Sequence, residues 1–548
     1  MAEPATTGAT QPSGATQPSA ATRPPSPQSR DRATSAWAAV SGVIAAAAFL
    51  AAAELAAVFA ARDASPIVAV GAFVIDVVPP AVKDFAIAAF GTADKAVLLG
   101  SLGVAVVIAS AIAGVLELRR PPWGAVLLGV AGVLSLAAIV TRAGAAAFSW
   151  VPPVAGTIVG VLVLELLVGR LRRGRDATTT GAADGTRTGT GTVDRRGFFV
   201  VAAVAAASAL VVGIGARVSN AASASIDALR SALRLPAARR TVAIPAGAQL
   251  GVPGITPLFT PNAEFYRIDT ALTVPAVDPA TWQLVVDGLV GRRVELSFDD
   301  LLAMGFDEYA VTIACVSNEV GGGLIGNAVW LGVPVRDILA VAEPEPGADM
   351  VLSRSVDGFT ASTPLDALTD PDRDAILAVG MNGEPLPLEH GFPVRMVVPG
   401  LYGYVSATKW LAELKVTTFA ADEAYWTPRG WSATGPIKLS SRIDSPRAGR
   451  TVQAGRTAIA GMAWAQHTGI DRVEVRVDDG PWRRAELSTP VNRDTWVQWM
   501  LEWDAAPGTY DLTVRAVDRD GRVQVRESAP PPPDGATGWH RVRITVAA

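Results

Sequence analysis

Five stretches of the chain are almost wholly apolar: 36–60, 96–118, 123–140, 152–171 and 198–218. As α-helices, each is long enough to cross a hydrocarbon core about 30 Å thick, so the pattern predicts five membrane spans. The stretch 66–90 is apolar too, but Asp76, the Pro79–Pro80 pair, Lys83 and Asp84 interrupt it, and it reads as a loop outside the membrane. Past about Arg240 the pattern changes, and turns built from Gly, Pro and Asp separate short runs. Between 245 and about 430, β-type runs (282–286, 310–313, 394–398) alternate with helical ones (298–304, 335–341), an α+β pattern. From about Lys438 onward, β runs recur at close intervals: 457–463, 472–477, 496–503, 509–517 and 539–546. In Val473-Glu474-Val475-Arg476-Val477 the valines face one way and the charges the other, which predicts an antiparallel sandwich of immunoglobulin-like size.

The expected organisation follows. Residues 1–35, rich in Ala, Thr, Pro, Ser and Gln, form a disordered cytoplasmic tail. An α-helical membrane domain of five spans covers 36–218, and 219–244 is a connector with a short helical segment. An α+β domain occupies 245–432, and the all-β immunoglobulin-like sandwich occupies 433–548.

Composition agrees with a chain divided in this way. Only 18% of the 548 residues are charged, against about 25% in soluble domains, and the mean hydropathy is +0.32. A net charge of −4 argues against a nucleic-acid binder relying on a basic surface. Arginines give the orientation. They cluster in the tail (Arg23, Arg30, Arg32), between the second and third spans (Arg119, Arg120), and between the fourth and fifth (Arg170, Arg172, Arg173, Arg175, Arg187, Arg195, Arg196). With five spans these segments share one side. A multi-pass protein of the inner or plasma membrane is expected, its N-terminus cytoplasmic and everything after Val218 outside. Asp194-Arg195-Arg196-Gly197-Phe198-Phe199 resembles a twin-arginine export signal, and positive-inside anchoring explains the same residues. Glu54 and Glu165 lie inside spans, where they mark either a proton or quinone pathway or an interhelical hydrogen-bonded carboxyl. No span contains histidine, which excludes a bis-histidine haem there.

The chain has one cysteine, Cys315, and three histidines, His390, His467 and His540. That excludes an intrachain disulfide and any multi-cysteine metal cluster, and it disfavours an all-histidine centre. Cys315 closes a β run and opens the loop Val316-Ser317-Asn318-Glu319-Val320-Gly321-Gly322-Gly323, where glycines allow backbone to approach a bulky ligand closely. Such a thiol is placed as a ligand or nucleophile, although a lone cysteine is also a common buried hydrophobe.

Four stretches together resemble the molybdopterin-binding domain of the sulfite oxidase family: Thr260 to Arg267; the Cys315 loop with Gly326, Asn327 and Trp330; Met381 to Pro387 with His390 to Gly400; and Gly403 to Ser406 with Lys409 and Trp410. Residues 433–548 are similar to the dimerisation domain that follows in that family. The resemblance implies a molybdenum–molybdopterin cofactor, with Cys315 as the catalytic residue and thiolate ligand of the metal. It further implies that Asn262, Tyr266, His390, Arg395, Gly403, Tyr404, Ser406 and Lys409 hold pterin and phosphate. The implied function is oxo transfer, S-oxide reductase-like or sulfite oxidase-like, on a small sulfur- or nitrogen-containing substrate. Expected partners are a small-molecule substrate, membrane lipid around the spans, an unidentified electron-transfer partner (quinone or redox protein) and a second copy through the C-terminal domain. The alternative is a cofactor-free adhesion or sensor protein that retains the fold. Sulfite-oxidising relatives place arginines and a tyrosine around the metal; here Asn318-Glu319-Val320 follows the cysteine, and Pro261 and Val379 replace other anion-binding positions. Glu319, Tyr402, Trp426, Arg429 and Trp431 are therefore the candidate substrate contacts.

Overall fold

Apolar runs do become long helices. The structure, a computed structural model, describes residues 27–60, 94–140, 148–180, 224–271 and 273–548. It divides into two compact units, the first within 1–212 and the second dominated by 213–548. In the first unit, helices α1 (Pro27–Ala60), α2 (Asp94–Arg119), α3 (Trp123–Val140) and α4 (Val151–Thr180) each contain a stretch long and apolar enough to cross a membrane. The fifth expected span, the twin-arginine segment and the 66–90 stretch lie outside the described residues. α1 begins at Pro27, so residues 27–35, expected in the tail, are helical. Proline is tolerated in a first helical turn, and nothing between Gln28 and Ser35 breaks a helix.

Small residues bring these helices together. A Cβ on Gly42 of α1 would fall 1.9 Å from the Ser110 carbonyl oxygen of α2, and one on Gly114 would fall 1.9 Å from the Ala38 oxygen. Only glycine permits that backbone approach, because any Cβ there would overlap a carbonyl of the facing helix. Glu54 is half-buried, and Glu165 is exposed on the surface of the described bundle. The deeply buried acid is instead Glu117, which accepts hydrogen bonds from Ala125 N (3.0 Å) and from the Arg172 guanidinium (2.9 Å).

Among the described residues, the second unit is built on four sheets. Strands β1 (Gln283–Gly288), β2 (Val294–Ser297), β5 (Met350–Ser355), β6 (Thr360–Pro364) and β10 (Leu411–Thr417) form one, ordered β2-β1-β10-β5-β6. Helices α5 (Phe298–Ala303) and α6 (Val335–Ala342) flank it. Ser297 starts α5 with a capping box to Asp300, while Val335, Ile338, Leu339 and Ala342 put the apolar stripe of α6 into the core. A second sheet joins β3 (Asp307–Ala314), β4 (Ile325–Pro334), β7 (Ile376–Met381) and β8 (Glu384–Pro385), with β9 (Arg395–Val397) against β7. β3 and β4 pair antiparallel to Ala314↔Ile325, so Cys315 is the first residue beyond the ladder.

The C-terminal part is a two-sheet sandwich. One sheet runs β11 (Ser440–Ser445), β13 (Gly455–Trp464), β17 (Val497–Ala505), β16 (Glu486–Leu487). The other runs β12 (Thr451–Gln453), β19 (His540–Ala547), β18 (Gly508–Asp518), β14 (Ile470–Val477), β15 (Arg483–Arg484). In β14, Val473 and Val475 are fully buried while Glu474 and Arg476 are not, as the alternation predicts. Ile459, Trp499, Leu512, Val514 and Ile544 fill the space between the sheets. Hydrogen bonds tie the sandwich to β3: Trp496 N donates to Thr312 Oγ1 (2.8 Å), and Asn492 Nδ2 to the Ala310 oxygen (2.9 Å).

Candidate cofactor site

The end of β3 delivers Cys315 to the floor of a cleft of about 140 Å³. Seven of the nine residues singled out in the sequence line it: Tyr266, Cys315, His390, Arg395, Gly403, Tyr404 and Lys409. The loop after the thiol is closed on itself. Cys315 N donates to the Leu324 oxygen (2.9 Å), Asn318 N to the Cys315 oxygen (3.0 Å), and Leu324 N to Asn318 Oδ1 (2.8 Å). Burial pushes the thiol's pKa up, opposed by hydrogen bonds to Ser317.

Asn262 and Ser406 do not line the cleft. Asn262 braces it: His390 Nε2 lies 3.2 Å from the Asn262 backbone oxygen, and Asn382 Nδ2 donates to Asn262 Oδ1 at 2.8 Å. This joins the Thr260–Arg267 segment to the Met381-Asn382-Gly383 turn. The Ser406 hydroxyl donates to the Leu401 and Tyr402 oxygens within its own turn, so its side chain is already engaged. Asn327 and Trp330 brace as well, donating to the Leu258 and Val311 oxygens. Gly326 faces the Phe265 ring, which a Cβ would meet at 2.6 Å.

The two cations of the cleft stand in different environments. Lys409, nine-tenths buried, donates to Asp269 Oδ2 (2.8 Å) and to the Glu389 oxygen (2.9 Å). Burial lowers its pKa to about 8, with Asp269 opposing the fall. Arg395 is 4% exposed and has no carboxylate partner among the described residues. Its contacts are backbone oxygens of Met396, His390 and Ala407 at 3.3–3.5 Å and the face of Trp330. Burial brings its pKa down to about 10. The same burial, with Arg395 and Lys409 nearby, holds His390 at about 4, so the imidazole is neutral at pH 7. Tyr266 is pushed far above the ordinary phenol range by burial and then by the neighbouring Cys315 thiol.

The other side of the cleft is aromatic. Phe359, Tyr404, Trp426 and Trp431 line it, with Tyr404 and Trp426 each packed on Trp431 at 5.9 and 6.2 Å. Of the candidate substrate contacts, Trp426 and Trp431 therefore reach the cleft. Glu319 is exposed outside its lining, Tyr402 is buried beside Lys438, and Arg429 stacks on Tyr425. Sequence reasoning missed Asp269, Asp357 and Phe359, which also line the cleft. A local signal existed only for Asp269, in the short Arg267–Asp269 pairing.

Comparison with known proteins decides the family. The family described as oxidoreductase molybdopterin binding domain matches residues 271–426, and the bacterial Ig domain family matches 440–514. Sulfite oxidase of Gallus gallus is 30% identical over 319 residues, 50% of this chain and 69% of that protein. The chain belongs to the sulfite oxidase family. Mitochondrial sulfite oxidase of Homo sapiens is 33% identical over 343 residues, 53% of this chain; the chain spans 62% of that protein's length. Among solved structures, the sulfane dehydrogenase SoxCD from Paracoccus pantotrophus is similar at 24% identity and a TM-score of 0.45, over 52% of this chain and 80% of that one.

As a molybdopterin-binding domain of this family, the α+β part implies a molybdenum cofactor. The cleft fits one. A guanidinium buried without a carboxylate is costly unless an anion arrives, and a pterin phosphate is such an anion. The thiol on the floor is a soft donor suited to a soft metal.

Proposed function

We propose that the protein is a membrane-anchored molybdenum-cofactor oxidoreductase that moves an oxo group to or from a small sulfur- or nitrogen-containing substrate outside the cytoplasmic membrane. The observation that carries this reading is the pairing of Cys315 with the uncompensated Arg395 in one cleft. Cys315 would ligate the metal, and the bound cofactor would supply two-electron oxo-transfer chemistry. Arg395 would take the phosphate, with Lys409, Tyr266, neutral His390, Gly403 and Tyr404 around the pterin. Asn262 and the Ser406 hydroxyl would hold that wall in shape.

A neutral, organic S-oxide or thioether suits the cleft better than sulfite. Its lining carries two cations, Arg395 and Lys409, and two carboxylates, Asp269 and Asp357. Once Arg395 meets a phosphate, the other cation of the described lining, Lys409, is already held by Asp269, so little positive charge is left to gather a dianion. The Trp426–Trp431 wall offers apolar area for an organic substituent. Electrons would pass to or from a quinone or redox protein, and the C-terminal sandwich would pair two copies.

Metal analysis of the purified full chain tests the reading. Stoichiometric molybdenum, lost in Cys315→Ser, supports it; a folded protein from molybdate-replete cells with none overturns it and leaves the adhesion or sensor reading. Assays with sulfite and a panel of S- and N-oxides then separate the substrates. For export, replacing Arg195 and Arg196 with Lys keeps the charge and should trap the catalytic part inside. If protease still reaches that part from outside, the twin-arginine reading fails and positive-inside anchoring suffices.

A further inference from the structure

The loop that follows Cys315 is held from the C-terminal sandwich. Arg442, on β11, is 7% exposed, and each of its guanidinium nitrogens is engaged. Nη1 donates to the Gly322 oxygen at 2.7 Å, Nη2 to Thr256 Oγ1 at 3.1 Å, and Nε to Asp444 Oδ1 at 2.6 Å. Asp444 in turn accepts from Thr256 N at 3.1 Å. A planar fork satisfied at three corners has one orientation, which a flexible ammonium would not keep.

His540, at the start of β19, completes the grip. Its Nδ1 accepts from Ile443 N at 2.9 Å, so the neutral ring carries its hydrogen on Nε2. The ring covers Gly321, whose φ is +81° and where a Cβ would fall 2.3 Å from Nε2. From Gly322 the constraint runs back to the thiol through the loop's own hydrogen bonds: Gly322 N to the Glu319 oxygen, Leu324 N to the Asn318 side-chain Oδ1, and Cys315 N to the Leu324 oxygen.

We propose that Arg442 and His540 are positioning residues for Cys315, so that the immunoglobulin-like domain forms part of the active-site support besides any role in pairing two copies. The inference rests on Cys315 as metal ligand, but the clamp itself is a property of this chain's own residues. A module used only for pairing has no reason to send a buried guanidinium to a carbonyl 120 residues earlier in the chain. Without the clamp, the Asn318–Gly323 turn loses its outer anchor, and the sulfur is left with the strand end of β3 and the loop's internal hydrogen bonds.

Because Cys315 is the only cysteine in the chain, thiol labelling of the full-length protein reads this one position. Arg442→Lys, His540→Asn and Gly321→Ala would be compared with wild type and with Arg456→Ala, whose exposed pair with Glu502 lies elsewhere in the sandwich. In detergent-solubilised chain from molybdate-starved cells, the three clamp variants should react with a maleimide several-fold faster, and Arg456→Ala at the wild-type rate. In molybdate-replete protein they should retain the metal while the paramagnetic resonance signature of the one-electron-reduced centre shifts. Should one variant fail to fold by thermal melting, the other two carry the test. Wild-type labelling rates and an unchanged spectrum in the folded variants overturn the clamp. Absence of molybdenum from wild type overturns the metal-ligand reading instead, and the labelling rates then decide the clamp by themselves.

Discussion

The Lys409 ammonium lies 2.8 Å from the Asp269 carboxylate, a pairing across 140 residues of chain inside the cofactor cleft. Asp269 also accepts from Arg267 Nε at 2.9 Å, so one buried carboxylate holds a cation of the cleft wall and the segment that leads into it.

Asp269→Asn removes the carboxylate that opposes the burial of Lys409 at close range and leaves only the Glu389 carbonyl beside the ammonium among the described residues. The lysine pKa, already about 8, should then fall further, leaving less ammonium at neutral pH. Molybdenum retained per chain should drop several-fold more between pH 6 and pH 8 in the variant than in wild type. Breaking a buried pair also costs about 3 kcal/mol, visible as a lower denaturation midpoint.

His390 and His540 are both held near pKa 4 in the folded protein, chiefly by burial. Unfolded histidine titrates near 6.5. Between these values the unfolded chain binds protons that the folded chain does not, so the stabilisation is complete above about pH 6.5 and is lost as pH falls toward 4. Replacing either with Gln should flatten the fall in unfolding free energy across that window, by on the order of 3 kcal/mol for a shift of this size. Chemical denaturation at a series of pH values measures it. Parallel curves for wild type and variants would contradict it.

Trp431→Ala opens the aromatic wall without touching Cys315 or Arg395. The KM for an organic S-oxide should rise about 10-fold, the usual range for losing apolar substrate contact, with molybdenum content unchanged. A KM equal to that of wild type would remove Trp431 from the substrate contacts.

Gly114→Val would thrust a side chain at the Ala38 carbonyl, where even a Cβ stands 1.9 Å away. The α1–α2 contact should open, lowering the melting temperature of the detergent-solubilised protein by several degrees. Gly103→Ala provides the control, because among the described residues a methyl group added there meets nothing within 4 Å.

Much of the architecture was legible because short-range periodicity encodes it. A run such as 123–140 cannot be anything but a spanning or deeply buried helix, and α3 has those bounds. The β run that stops at Ala314 marked Cys315 as the first residue of a loop, and the β3–β4 ladder ends there. The site was legible only as far as the motifs that carry the family resemblance. They placed Arg395 and Lys409 together but could not show that one has a carboxylate and the other has none. Ser406 belongs to the same motif, yet its hydroxyl bonds its own turn. Glu117 passed unnoticed inside an apolar run because its partner, Arg172, is 55 residues away on another helix.

By itself, then, the sequence determined the elements, the division into an apolar first part and a β-rich second, and the one thiol around which metal chemistry could gather. Hydrophobic alternation and helical stripes act between residues a few positions apart, and they need no knowledge of the fold. Tertiary structure alone decided which charges meet: Asp269 with Lys409, Glu117 with Arg172, and Arg442 with the Gly322 carbonyl. Those partners are chosen by the order of strands and the crossing of helices, which bring distant segments to hydrogen-bond distance in a low-dielectric interior, where each unpaired charge is costly.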